Sequence, residues 1–132
     1  MFSFVKSNTK PEVPVIKTLP TTESTSYKIG DALVLSAGGL ILATGTTKPE
    51  YIAAANYTAP AEKMEPLPVY LIAPGMEWET SFAADASAVT EGTKVTIHTD
   101  GAQITATATS GVAKILKKHG TGATGTKATV TF

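Results

Sequence analysis

The sequence predicts an all-β chain, a compact small β-barrel or sandwich of hairpins over residues 29–132, preceded by an extended N-terminal arm over residues 1–28. Three observations carry that expectation. Residues 94–107 read as a hairpin around Asp100-Gly101, a pair suited to the two-residue type I′ turn because both central positions take positive φ. Across that turn Ile97 faces Ile104 and Val95 faces Ala106 on an apolar side, while His98 faces Gln103 and Thr96 faces Thr105 on a polar one. Met76, Trp78, Thr80 and Phe82 alternate with Glu77, Glu79 and Ser81, the period of two of a half-buried strand. Turn residues recur at short intervals between such runs.

The elements follow in chain order. Residues 1–28 are rich in Thr, Ser, Lys and Pro, and Pro11, Pro14 and Pro20 block a long helix or a central strand. Phe2, Phe4, Val13, Val15, Ile16 and Leu19 are too apolar for an idle tail, so the segment either folds on its own domain as an edge strand or orders against a partner. From Ile29 a hairpin turning at Gly38-Gly39 sets Leu35 opposite Leu42, with Leu33 and Leu40 on one face and Val34 and Ile41 on the other, a pattern that fits cover on both sides. Residues 48–60 admit a short helix opened by Pro49, although Tyr51, Ile52, Tyr57 and Thr58 favour strands. Lys63 to Pro68 reads as a polar connection, Val69 to Ile72 as a strand, and Pro74-Gly75 as a turn. Residues 112–118 keep a helical option, but regular β punctuation favours a strand paired with Ala128, Val130 and Phe132 across the loop 120–126.

Composition bounds the function. At 132 residues and 42% hydrophobic content the chain makes one domain with a sizeable core. Net charge is zero and all 11 basic residues are Lys, which removes the bidentate Arg contacts used to read phosphate and guanine, so no nucleic-acid partner is expected. The absence of Cys excludes disulfides and thiolate chemistry. Met1 to Lys6 shows no targeting pattern, and no apolar run approaches a membrane span, so no membrane partner is expected.

No motif assembles a reactive or ligating set, and neither an enzymatic site nor a cofactor or metal is expected. In Gly120 to Lys127 the Lys follows Thr126 instead of the last Gly, and only β-prone residues remain after it, unlike a phosphate loop. Glu77 and Glu79 alternate with core residues and read as the solvent face of a strand, whereas paired glycosidase carboxylates come from separate elements lining a cleft. His98 and His119 stand apart. Trp78, Tyr27, Tyr51, Tyr57 and Tyr70 are dispersed, which favours packing over a stacking platform. A carbohydrate-binding or adhesin-like β module stays open as the alternative, since such a module needs only an exposed aromatic patch.

The order of strings does resemble a known group. Tyr27-Lys28-Ile29-Gly30-Asp31-Ala32-Leu33-Val34-Leu35, Gly39-Leu40-Ile41-Leu42-Ala43-Thr44-Gly45 and Lys48-Pro49-Glu50-Tyr51-Ile52 are similar to the opening of small structural proteins encoded with tailed-phage capsid genes. The likeness continues through Pro68 to Ile72, Trp78 to Phe82 and Gly92 to Gly101, and spans roughly residues 27–132. The resemblance implies a capsid decoration, or cement, protein of the virion. Such proteins bind the outer surface of the head, often as homotrimers, and stabilise contacts between major capsid subunits. It also implies that the arm, with Phe2, Phe4, Val13, Val15, Ile16 and Leu19, orders on the capsid partner.

Overall fold

The computed structural model describes residues 1–61 and 65–132, and these are all-β, with no helix among them. The strands are β1 (Ser3–Ser7), β2 (Ile16–Pro20), β3 (Ser26–Tyr27), β4 (Ala32–Ser36), β5 (Gly39–Leu42), β6 (Tyr51–Ala53), β7 (Tyr57–Thr58), β8 (Pro66–Leu71), β9 (Met76–Ser81), β10 (Lys94–Val95), β11 (Ala113–Lys118) and β12 (Lys127–Thr131). One antiparallel sheet runs β1-β9-β12-β11-β10, a second runs β2-β8-β6-β4-β5, and β3 pairs with β7 as a ribbon. The chain takes the strand option at both ambiguous segments, 48–60 and 112–118.

Period two decides which side chains go inside. Along β9, Met76, Trp78 and Thr80 are buried while Glu77, Glu79 and Ser81 are half-buried, as their alternation predicts. Phe2, Trp78, Phe82, Ile97, Ile104, Ile115 and Val130 form the main core, which Ala32 and Ile52 of the second sheet complete. The opposite face of that second sheet is also covered. Leu33, Leu40, Ala53, Leu67 and Val69 pack with Tyr27 of the ribbon in a second core. The buried Tyr27 hydroxyl is satisfied, donating to Leu40 O at 2.7 Å and accepting from Thr22 N at 2.8 Å.

Two turns differ from their sequence readings. The β4–β5 hairpin turns at Ala37-Gly38, not Gly38-Gly39, so Leu33 pairs Leu42 and Leu35 pairs Leu40. The reason lies at Gly39, where a Cβ would sit 2.5 Å from Thr22 Oγ1, so the close approach of Thr21-Thr22 holds that glycine in the strand. Ala37 takes φ 50° and Gly38 φ 85°, the two positive values of a type I′ turn. At the second turn Asp100 does not take positive φ. His98 to Gly101 form a β-turn closed by Gly101 N to His98 O at 3.0 Å, and Asp100 Oδ1 accepts the amides of Ala102 and Gln103 at 2.8 and 3.1 Å. The apolar face survives, with Ile97 bridged to Ile104 and both buried, but Val95 pairs with Ala113 of β11 instead of Ala106.

Pro66 and Pro68 lie inside β8, where a connection was expected; Lys63 lies outside the described residues. Their tolerance follows from register. Leu71 N donates to Val15 O and Thr21 N donates to Glu65 O, so odd positions of β8 face β2. The even positions 66 and 68 face the β6 side, where the ladder ends on Ala54 N donating to Pro68 O at 3.0 Å, so Pro68 serves there as an acceptor alone and Pro66 lies beyond the last bond.

Candidate functional site

The N-terminal twenty residues set the geometry of the surface that merits attention. β1 pairs with β9 at the edge of the first sheet and β2 pairs with β8 at the edge of the second, so residues 8–15 cross from one sheet to the other. That crossing is fastened by Asn8 N to Gly75 O at 3.0 Å, Thr9 Oγ1 to Pro74 O at 2.6 Å, and Asn8 Nδ2 to Glu77 Oε1 at 2.9 Å.

The six arm residues singled out from sequence divide into two groups. Phe2 is only 2% exposed, packs edge-on to Phe132 with centroids 5.5 Å apart, and donates its N–H to Gly30 O at 2.8 Å. It is therefore a core residue of its own chain. Phe4 is half-buried against the Trp78 ring at 5.5 Å, and Leu19 is half-buried against the second core. Both follow from register, since Phe4 lies opposite Trp78 and Leu19 opposite Leu67, whose side chains point inward. Val13, Val15 and Ile16 remain 66%, 44% and 62% exposed. Of the six, these three are the exposed ones.

Between the two edges lies an apolar slot of about 300 Å³, lined by Phe2, Phe4, Pro14, Ile29, Tyr70 and Trp78 among others. Trp78 Nε1 is buried without a hydrogen-bond partner. Sequence reasoning placed Trp78 in the core but missed the slot, because the slot forms only where two sheet edges, distant in sequence, come together.

The remaining polar residues form dispersed structural pairs. Glu79 Oε1 accepts Lys127 Nζ at 2.7 Å, and that hydrogen bond holds its carboxyl below the usual value. Glu77 meets Asn8 and, at 3.6 Å, Lys6. His119 Nε2 lies 2.8 Å from Thr129 Oγ1, and His98 Nδ1 lies 3.3 Å from Asp100 Oδ2. Burial works to raise Asp100, but the Ala102 and Gln103 amides and His98 outweigh it and hold the carboxyl low. Asp31 shifts the opposite way, pushed up by burial against the counter-pull of the Lys28 amide. Among the described residues, no three or more His, Asp or Glu side chains gather as a metal-binding set. Trp78 and Tyr27 are buried, so neither offers a ring face for stacking.

One polar cluster escaped the sequence reading. Lys118 Nζ donates to the carbonyls of Ala86, Ser87 and Val89 at 3.4, 3.3 and 2.9 Å, clamping that loop to β11. Loop 120–126 is a hairpin connection docked on the same region, with Ala86 N donating to Gly122 O at 2.7 Å. No known protein family matches the chain, and no curated protein matches it significantly.

Proposed function

We propose that this chain is a capsid decoration protein. It binds the outer surface of a tailed-phage head as a homotrimer and stabilises contacts between major capsid subunits, with no catalytic role of its own. The observation that carries this reading is the placement of exposed apolar side chains. Of nine large hydrophobic residues exposed among the described ones, Met1, Val5, Val13, Val15, Ile16 and Ile29 fall within the first 29 residues, on or beside the two sheet edges. Burying apolar area is worth about 25 cal/mol per Å², so side chains gathered in this way favour a binding surface over a solvated one. Edge strands also leave backbone groups for pairing with another chain.

The strings that resemble decoration proteins supply β3 to β6 and β8 to β10, the framework that presents this edge. Beyond the named strands, Thr21 bridges Leu40 between the ends of β2 and β5, and Ile104 bridges both Ile97 after β10 and Phe82 after β9, so we read that framework as a small β-barrel or sandwich. The chain should pellet with empty, expanded heads assembled from the major capsid protein of the phage that encodes it, and saturate at a fixed ratio per capsid subunit. A chain left wholly in the supernatant at micromolar concentration would remove the proposal.

A further inference from the structure

We propose that the outer face of the first sheet, where β10 and β11 lie, docks a carboxylate-bearing segment of the partner protein on Lys94, Lys114 and Lys117. Docking of this kind rests on the reading of the chain as a binding protein, and it states the chemistry of a surface the chain meets.

Register puts these lysines on one face. Val95 and Ala113 pair and are buried, so Lys94 and Lys114, paired one step along, point outward. Lys114 pairs with Thr131 and Lys117 with Thr129, and Thr129 in turn pairs with Glu79. The face therefore runs from the three lysines, all exposed, across β12 to Glu77 and Glu79 of β9. Both of those carboxylates are taken. Glu79 holds Lys127 at 2.7 Å, and Glu77 holds Asn8 at 2.9 Å and Lys6 at 3.6 Å. Lys118 is engaged on the carbonyls of the 86–89 loop, and Glu91 accepts the Lys118 amide at 3.0 Å. Among the described residues, Lys94, Lys114 and Lys117 form no ion pair. Like charges set directly opposite each other destabilise a strand pair, so Lys94 against Lys114 leaves the free chain with a repulsion that bound carboxylates relieve.

The rest of the face selects a protein segment. Lysines offer point charges, and the chain has no Arg to fork a phosphate. β9 turns its one ring, Trp78, into the core, and β10, β11 and β12 contain no aromatic residue, so this face stacks no base. The β-bulge between Ile115 and Lys117 leaves Leu116 36% exposed beside the lysines, an apolar contact that a protein surface covers and a sugar-phosphate backbone does not. A second copy is a poorer match, because its exposed carboxylates at Glu12, Glu23 and Glu50 stand on separate segments. Acids at alternate positions of an extended segment stand about 7 Å apart, within reach of lysines on neighbouring strands.

The probe is the capped peptide acetyl-Thr-Glu-Thr-Glu-Thr-Glu-Thr-amide, added to the intact ¹⁵N-labelled chain at about 10 mM ionic strength. Its Gln analogue, oligothymidylate and phosphatidylglycerol vesicles are the comparisons. The acidic peptide should shift the amides of Lys94, Lys114, Lys117 and Thr129 and leave those of β2 and β8 unmoved. Binding should weaken at about 150 mM salt as screening sets in. Each exposed charge pair is worth up to about five-fold in affinity, so Lys94→Gln/Lys114→Gln/Lys117→Gln should weaken binding ~10-fold or more. Lys94→Gln alone should weaken binding while keeping or raising the urea midpoint, because it removes a repulsion. A lower midpoint with unchanged binding makes the lysines structural and overturns the proposal. So does an acidic peptide that shifts nothing, a comparison that binds as tightly, or a triple variant that binds like the natural chain. If the triple variant pellets with heads as the natural chain does, lysine docking fails and the decoration reading stands. If the peptide binds but the natural chain stays in the supernatant, the decoration reading alone fails.

Discussion

Replacing Phe2 by Ala tests whether the first strand belongs to the fold of its own chain. Phe2 is 2% exposed, its ring meets Phe132 edge-on at 5.5 Å, and it lies in the main core beside Trp78. Burial of a Phe side chain contributes about 1.5–3 kcal/mol, and an edge-to-face ring pair adds about 0.5–1.5 kcal/mol. Phe→Ala changes in cores cost about 3–5 kcal/mol once the cavity is included. Because residue 2 can withdraw with β1 without unravelling the rest, the loss should fall near the lower figure, about 3 kcal/mol. For a domain of this size that corresponds to a melting temperature lower by roughly 10 °C. Urea denaturation followed by Trp78 fluorescence reads the loss as a lower midpoint at unchanged slope. Val13→Ser, at a position 66% exposed, is the control and should stay within about 0.5 kcal/mol. A loss below about 1 kcal/mol for Phe2→Ala would refute the reasoning.

Three further outcomes follow from local geometry. Gly39→Ala brings a Cβ to 2.5 Å from Thr22 Oγ1 and 3.1 Å from Thr21 O, and should cost about 1–3 kcal/mol by the same denaturation assay, with Gly38→Asn far milder because a Cβ there meets nothing within 4 Å. Lys118→Met removes three donor contacts to the 86–89 carbonyls, and hydrogen exchange should speed up in residues 86–91 while the β9 amides stay protected. Asp100 has a folded pKa below its unfolded value, so its contribution is fully present above the ordinary carboxylate pKa and is lost as pH falls through the folded one. Asp31 is raised and has the opposite slope, gaining stability as pH falls, so Asp100→Asn should flatten the acid limb of the stability curve and Asp31→Asn should steepen it.

Local pattern made β9 legible residue by residue, because a strand with one buried face repeats its burial every second position. The same logic gave the faces of the β4–β5 hairpin, but its turn depended on Thr21-Thr22 lying against Gly39, a contact between separate segments. Gly38-Gly39 is the better local turn, and packing overrode it by about the cost of placing Ala37 at positive φ, ~1 kcal/mol. At Asp100-Gly101 the side chain competed with the backbone. The Asp100 carboxylate capped two amides, and the turn moved one residue earlier. The arm posed a different difficulty. Apolar residues among prolines fit an edge strand and a free arm equally, and only the partners in space, Trp78 for Phe4 and Leu67 for Leu19, distinguish the two. The slot and the Lys118 clamp join segments far apart in sequence, so no local period signals them.

The most direct measurement is the temperature at which purified heads rupture and release DNA, read by a dye that cannot enter intact heads. Heads saturated with the chain should rupture at a higher temperature than bare heads. The variant Val13→Ser/Val15→Ser/Ile16→Lys, whose changes fall on exposed side chains and leave the fold intact, should restore the bare-head value. Equal rupture temperatures with and without bound chain, or full protection by the triple variant, would contradict the account.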